Sequence, residues 1–511
     1  MERGEFIKVS ALVAGALAWA SCVLPVQAQI ELGAPFTDGV VLQRECDVPV
    51  WGKAAPGRKV TVVFAGVEAS VVVGADGCWR AKLQPMAASA ENRTMTVVES
   101  ENAGGGSTTD KVEIHNVLVG EVWFASGQSN MDCPLWYGGH ARYRDGNGAL
   151  VASMTRLPQV RFFKSPQNWS LEPKPIKTVW REMTAVNLVA TKFSAVGFYY
   201  ARELYLALQI PIGIVDASIG GTNIDAWTPR CGYTDCDPSI ADTANFKLKQ
   251  DFDPVKDRVG PISKGLQQPT VLWNAMVDAF APMAIRGFIW YQGCHNNSEA
   301  HRYRAKLHAL YNGWSRRFEN PALKFYLVGL APYRTSWMRI FEAQSQFVKE
   351  QPNAALAVTA DVGNFDDIHP NEKEIVAKRL AVHALKRDYG FDIAEDNSPC
   401  FKSATFKDGK AIVEFEHATS LYVYSRDRSH DTAFELAGAD GIWKSAKILN
   451  FGPAKDKFGK PIVGDYIKGS ALELQSEDVP EPVKVRYLGE PRTMGTVYNQ
   501  AALPLGPFEM K

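Results

Sequence analysis

Apolar and polar residues change their rhythm twice along this chain. From about residue 30 to 114, short runs such as Val48 to Trp51, Lys59 to Phe64, Ala69 to Val73 and Thr94 to Val98 are separated by turn signals at Ala55-Pro56-Gly57 and Asp76-Gly77. Short β-rich runs at this spacing predict a β-sandwich. From Val117 onward, apolar strand-like runs alternate with longer segments of helical spacing. Ser194 stands where it would cap a helix carrying Val196, Tyr199, Tyr200 and Leu204, and the run Pro211 to Val215 follows as a strand. A helix over Trp273 to Phe280, a strand over Gly287 to Tyr291, a helix over Tyr303 to Phe318, a strand over Phe325 to Leu330 and a closing helix over Glu372 to Tyr389 continue the pattern. It predicts an α/β layer with a mostly parallel sheet, whose ligand crevice lies beyond the carboxyl ends of the strands. After about residue 395, runs such as Ala411 to Phe415, Ser420 to Tyr424 and Val483 to Tyr487 return to β character.

At 511 residues the chain is too long for one ordinary core. The expected division is a leader over 1–28, a β-sandwich-like region over 29–114, an α/β domain over 115–394 and a β-rich region over 395–511. Arg3 and Lys8, the apolar run from Val9 to Leu24 and the small-residue end Val26-Gln27-Ala28 have the form of a secretory signal, which places the mature protein outside the cytoplasm, secreted or periplasmic. Cys22 after Ala20-Ser21 also permits lipid anchoring. No later run is long enough to cross a bilayer. The segment Ala103 to Ser107 reads as an exposed loop.

Fifty-six basic residues balance 56 acidic ones, so nothing in the charge favours nucleic acid or an anionic membrane as partner. Cleavage after Ala28 would leave seven of eight cysteines, an odd number. Cys231 and Cys236 are spaced to close a short loop or to remain as thiols. Cys294-His295 offers adjacent soft ligands without a second ligand pair at metal spacing, so neither metal nor cofactor is expected.

The chemistry is written in four blocks. Gly127-Gln128-Ser129-Asn130-Met131 follows the apolar run Val117 to Phe124, the placement of an exposed nucleophile, and Asp366-Asp367-Ile368-His369-Pro370 supplies an imidazole with carboxylates beside it. A serine hydroxyl is a poor nucleophile at neutral pH unless a histidine takes its proton and a third group fixes the histidine tautomer. Between them lie Ser218-Ile219-Gly220-Gly221-Thr222 and Trp290-Tyr291-Gln292-Gly293-Cys294-His295-Asn296, again at the ends of apolar runs. Glycine lets a backbone N–H approach a developing oxyanion, and an asparagine amide adds a second donor.

In these blocks the chain resembles the sialate O-acetylesterase family of the SGNH hydrolases, and the likeness extends from Val41-Leu42-Gln43-Arg44 to Leu503-Pro504-Leu505-Gly506-Pro507-Phe508. The resemblance implies an SGNH-type three-layer domain that removes O-acetyl groups from a carbohydrate. It makes Ser129 the nucleophile, His369 the base, and Gly221 and Asn296 partners of the Ser129 amide in the oxyanion hole. The triad acid is Asp366 by the three-residue spacing usual in the superfamily, the reading preferred here, or Asp367 by the sialate-esterase pattern. Gln128, Trp227, Gln292, Cys294 and His295 are expected around the substrate. Trp136, Tyr137, Trp227 and Tyr291 are candidates to stack on sugar rings, and Asp225 and Arg230 to bond sugar hydroxyls. Two departures stand out: Cys294-His295 replaces the family's Glu-Ser, and Ile219 its Trp. The first motivates a competing reading, a carbohydrate-binding protein with a weakened esterase centre. A lipase or peptidase would share the serine chemistry but call for an apolar lid or a peptide groove.

Overall fold

The computed structural model describes residues 30–101, 108–135, 148–244, 264–424, 433–450, 452–455 and 461–510. The expected leader with Cys22, the loop Ala103 to Ser107, and Trp136 and Tyr137 lie outside the described residues.

Alternation builds the N-terminal region. Along Lys59–Phe64, the side chains of Val60, Val62 and Phe64 turn into the core, as successive strand residues face opposite sides. Ala65 and Gly66 both take positive φ (51° and 81°), the geometry of a two-residue hairpin turn, and the chain returns as Val67–Val72. Lys59–Phe64 pairs on its other edge with Ser89–Ser100, which in turn pairs with the strand that follows it.

That strand, β1 (Thr108–Gly127), spans 20 residues and belongs to both halves of the molecule. Its first half pairs antiparallel with Ser89–Ser100, and its second half is the centre of the α/β layer. The expected boundary between residues 114 and 115 therefore falls inside one strand. The other strands of the layer are β2 (Arg156–Lys164), β3 (Arg181–Thr184), β4 (Ile212–Ser218), β5 (Gly287–Tyr291), β6 (Lys324–Val328) and β7 (Ala354–Ala357). Their order is β3-β2-β4-β1-β5-β6-β7; all are parallel except the edge strand β3. With the N-terminal strands they form one mixed sheet of 11 strands.

Helices lie against both faces of this sheet, as the neighbours Trp123 and Phe124 show. Trp123 meets Tyr200 edge-on at 5.2 Å and stacks on Tyr326 at 5.7 Å. Phe124 meets Phe280, Trp314 and Phe318 on the opposite side. Tyr200 belongs to the helix Ala195–Leu208, which Ser194 caps by accepting from the Gly197 N–H at 3.0 Å. Trp314 belongs to Ala300–Arg317, and the closing helix runs Lys373–Arg387. The expected helix from Trp273 to Phe280 is instead a π turn, Trp273–Val277, followed by the 3-10 turn Asp278–Phe280. The Asp278 carboxylate accepts from Trp273 Nε1 at 2.9 Å and holds this irregular pair closed.

The C-terminal part forms three four-stranded sheets around a core that includes Val413, Phe415, Leu436, Leu472, Val485 and Tyr487. Val358 and Ala360, just past β7, belong to the same core, so the β-rich part packs on the α/β layer. No helix among the described residues is long and apolar enough to cross a membrane. Cys231 and Cys236 are separate thiols.

Candidate active site

The central strand β1 ends where the chemistry begins. Gly127 has φ 138°, and a Cβ there would stand 2.3 Å from the Tyr291 carbonyl oxygen, so only glycine fits between the ends of β1 and β5. The chain then turns into a short helix, α1 (Ser129–Asp132), which presents half-buried Ser129 as its first residue. Met131 and Asp132 N–H close the turn on the Gln128 carbonyl at 2.8 and 3.0 Å.

Ser129 Oγ lies 2.9 Å from Nε2 of His369. Residues 240 positions apart are brought together here by the loop between β7 and the closing helix. Asp367 folds back within that loop: its Oδ1 accepts from the His369 backbone N–H at 2.9 Å and lies 3.2 Å from His369 Nδ1. This fixes the neutral imidazole with its proton on Nδ1 and Nε2 free to accept from the serine. Burial and the nearby Lys373 ammonium hold the imidazole below its ordinary pKa, against the opposing pull of Asp367. A base held low stays unprotonated at neutral pH.

Asp366 stands elsewhere. Its side chain is 73% exposed against 30% for Asp367, and its carboxylate is 3.3 Å from both Arg334 and Arg492. The three-residue spacing that favours Asp366 is thus corrected by the turn itself. Asn364 Oδ1 accepts from the amides of both aspartates, at 2.9 and 2.8 Å, and directs Asp367, not Asp366, toward the imidazole.

Two side chains unremarked in the sequence reading join the halves of the site. Buried Asn130 donates through Nδ2 to the Ile368 carbonyl at 3.1 Å and accepts from Lys373 Nζ at 2.5 Å. The residue after the serine thereby holds the residue before the histidine. Asn130 had a signal, its place inside Gln-Ser-Asn-Met. Lys373 had none, since a lysine near a helix start ordinarily reads as solvated.

On the other side of Ser129 stand the glycines and Asn296. A Cβ on Gly220 would be 3.4 Å from that of Ser129, so the backbone passes close to the hydroxyl. Gly221 has φ 72°, and its carbonyl accepts from Gln267 Nε2 at 2.5 Å. Among the described residues, neither the Gly220 nor the Gly221 N–H has a protein acceptor. Asn296 is fully buried. Its Oδ1 accepts from Ile224 N–H and Gln292 Nε2 at 3.0 and 2.7 Å, and its Nδ2 donates to Glu299 at 2.5 Å. One hydrogen of that amide remains for a further acceptor.

The residues expected around substrate divide sharply. Gln128 and Gln292 are buried braces: Gln128 Oε1 receives the Gly293 and His295 amides at 3.2 and 3.3 Å, and Gln292 orients Asn296. Trp227 is fully buried, with Nε1 on Thr222 Oγ1 at 3.0 Å, so it is wall and not a stacking face. Tyr291 is buried too, and Asp225 is bound to Lys306 at 2.7 Å and Tyr233 at 3.0 Å. Arg230 and His295 are exposed. Cys294 is half-buried, and loss of solvent around its sulfur pushes the thiol up to about 12, which makes it unreactive at neutral pH.

Beside Ser129 and Gly220 opens a cavity of ≈ 640 Å³ whose wall includes Asp132, Lys164, Gln167 and Arg181. Lys164 Nζ lies 2.8 Å from Asp132 and 3.1 Å from buried Asp216, tying α1 to β2 and β4. Gln167 Nε2 donates to both Asp132 carboxylate oxygens at 2.9 Å.

The chain is similar to known proteins over most of its length. A family model described as carbohydrate esterase, sialic acid-specific acetylesterase, matches residues 119–386, just over half of the chain. The sialate O-acetylesterase of Rattus norvegicus is 29% identical over 399 residues, covering 69% of this chain and 72% of the relative. That of Homo sapiens is 26% identical over 425 residues, 77% of each. The crystal structure of a carbohydrate acetylesterase from Xanthomonas citri superposes with a TM-score of 0.76 at 30% identity, covering 94% of this chain and 99% of that one. Fold and relatives define a carboxylic ester hydrolase. Within that class, the chain belongs to the carbohydrate esterase family of sialic acid-specific acetylesterases.

Proposed function

We propose that this protein removes O-acetyl groups from sugars by way of an acetyl-enzyme, in an α/β core of SGNH type. His369 Nε2 takes the Ser129 proton as Oγ attacks the acetyl carbonyl. The tetrahedral oxyanion is held by the Ser129 and Gly221 amides and the Asn296 side chain. Collapse expels the sugar oxygen, which receives the proton from His369, and leaves acetyl on Ser129. Water, deprotonated by His369, then attacks the acyl carbon; acetate leaves and Ser129 regains its proton. Asp367 stabilises the imidazolium formed in each half. The same reading takes the chain as exported through its leader.

The observation that carries this reading is the Ser129 Oγ to His369 Nε2 distance of 2.9 Å with Asp367 behind the imidazole. The test is acetate release from O-acetylated sialic acid and from acetylated xylo-oligosaccharides by the native protein and by Ser129→Ala. Loss of about 10³-fold or more in the variant is expected, and near-native release would refute the assignment. Glycan binding without acetate release by the native protein would favour the binding-protein alternative.

A further inference from the structure

The oxyanion hole proposed above draws its donors from separate segments, among them the Gly221 loop after β4 and the 3-10 turn Cys294–Glu299 after β5. A donor helps only when it is aimed where charge develops, so the Asn296 amide must be held in register with the Gly221 loop. Its oxygen end is held from that loop. Ile224 N–H donates to Asn296 Oδ1 at 3.0 Å, and Gln292 Nε2 donates to the same oxygen at 2.7 Å and to the Thr222 carbonyl at 3.1 Å. Its nitrogen end is held by the Glu299 carboxylate at 2.5 Å. Two donors at one end and an anion at the other allow a single orientation of the amide. Cys294 and His295, where the chain departs from its family, take no part: among the described residues the Asn296 side chain bonds to Ile224, Gln292 and Glu299.

Glu299 stands at the start of the helix Ala300–Arg317, yet its side chain makes no capping bond to that helix. Its carboxylate turns instead to Asn296 and to buried Lys306, whose Nζ lies 2.8 Å from Glu299 and 2.7 Å from buried Asp225. Asp225 follows Ile224 in the chain, so the contacts close on themselves: Asn296, Glu299, Lys306, Asp225, Ile224 and back to Asn296. A polar ring of this kind, set in a medium of low dielectric constant, orders its members together. It ties the amide on one segment to the loop that carries Gly221. Lys306 also offsets the charge of Glu299, which would otherwise oppose an oxyanion at Asn296.

We propose that Glu299 is a positioning residue for the esterase reaction, aiming the remaining N–H of Asn296 at the oxyanion while Lys306 and Asp225 hold its carboxylate in place. It acts through Asn296, without itself meeting the reacting atoms. The inference rests on the esterase reading above.

The experiment is a double-mutant cycle on 4-nitrophenyl acetate hydrolysis. The rate constant kcat and KM are measured for native protein, Glu299→Ala, Asn296→Ala and the double variant, with Glu299→Gln alongside. Loss of an oxyanion donor costs about 10²- to 10³-fold and a misplacement of about 1 Å up to about 10²-fold. Glu299→Ala is therefore expected to lower kcat by roughly 10- to 100-fold, with KM within about twofold of native. Glu299→Gln, which keeps an acceptor for the amide, should recover most of that loss. In the Asn296→Ala background, removing Glu299 should cost less than about threefold, because the group it acts through is gone. Equal losses in both backgrounds overturn the inference, as does Glu299→Ala with native kcat or with its defect in KM. Should Glu299→Ala fail to fold, Glu299→Asp, which withdraws the carboxylate by one methylene and keeps its charge for Lys306, enters the cycle with the same expected and overturning results. An active native protein with an additive cycle removes this inference alone. A native protein that cleaves neither 4-nitrophenyl acetate nor the acetylated sugars removes the esterase reading, and the inference with it.

Discussion

Replacing Asp367 by Asn keeps the shape of the side chain and removes its charge, which isolates what that charge does for His369. When the imidazole accepts the serine proton, it becomes a cation 3.2 Å from Asp367 Oδ1. A full charge pair at that distance is worth about 5 kcal/mol at an effective dielectric constant of about 20 and about 2.6 kcal/mol at about 40. Asp367 is 30% exposed, so the smaller figure applies, and it corresponds to roughly 10²-fold in rate. An asparagine amide facing Nδ1 would also favour the wrong tautomer, with the proton on the nitrogen that faces Ser129. A triad Asp→Asn change of that kind costs about 10⁴-fold. The expected loss in kcat/KM for Asp367→Asn is therefore about 10²- to 10⁴-fold, with little change in unfolding midpoint. Asp366→Asn, at an exposed carboxylate 3.3 Å from two exposed arginines, should stay within about threefold of native. Acetate release or 4-nitrophenyl acetate hydrolysis measures both. Equal losses in the two variants, or an Asp366→Asn defect larger than that of Asp367→Asn, would refute the geometric argument.

The acid limb of activity should lie below the ordinary histidine pKa, because the depressed pKa of His369 keeps the base form to lower pH. Lys373→Met removes the positive charge that helps to depress it, so the limb should move to higher pH and activity should be lost sooner on acidification; an unmoved limb in a kcat/KM profile would count against the electrostatic role of Lys373. Trp227→Ala should destabilise the fold by about 3–5 kcal/mol, seen as a lower urea midpoint, because the ring is wholly buried. A raised KM with unchanged stability would restore Trp227 as a sugar platform.

The meeting of Ser129 and His369 was legible because each carries a local signal: a serine at a strand end and an imidazole in an Asp-rich turn are recognisable without knowing what lies across from them. The alternation of strands and helices was legible for the same reason, since period and turn residues are written along the chain. The choice between Asp366 and Asp367 was not, because it depends on Asn364 capturing two successive amides, and a rotation of one residue reverses the answer. Nor was the burial of Trp227, which follows from a 3-10 turn, Asp225–Trp227, folding its side chain inward. Polar partners such as Lys373 and Asn130 escape sequence reading because only tertiary packing makes a buried amine and amide neighbours. The junction at residues 114 and 115 looked like a boundary because the pattern changes there from short β runs to strands alternating with helices; a single strand spans the change.

That shared strand has a mechanical meaning. A β-strand barely stretches, rising about 3.3 Å per residue, but Thr108–Gly127 carries an extra residue midway, at Asn116 (φ 58°), where its register with Ser89–Ser100 shifts. The place of Gly127 opposite Tyr291 is held by the parallel pairing of Trp123 to Gly127 with Gly287–Tyr291. A slip of one residue in the N-terminal pairing can be taken up at Asn116, whereas a slip against Gly287–Tyr291 would turn the residues that lead to Ser129 to the wrong face. The irregular residue thus works as an expansion joint between the two halves of the strand, and the spacing of Ser129 and His369 is set on the α/β side of it.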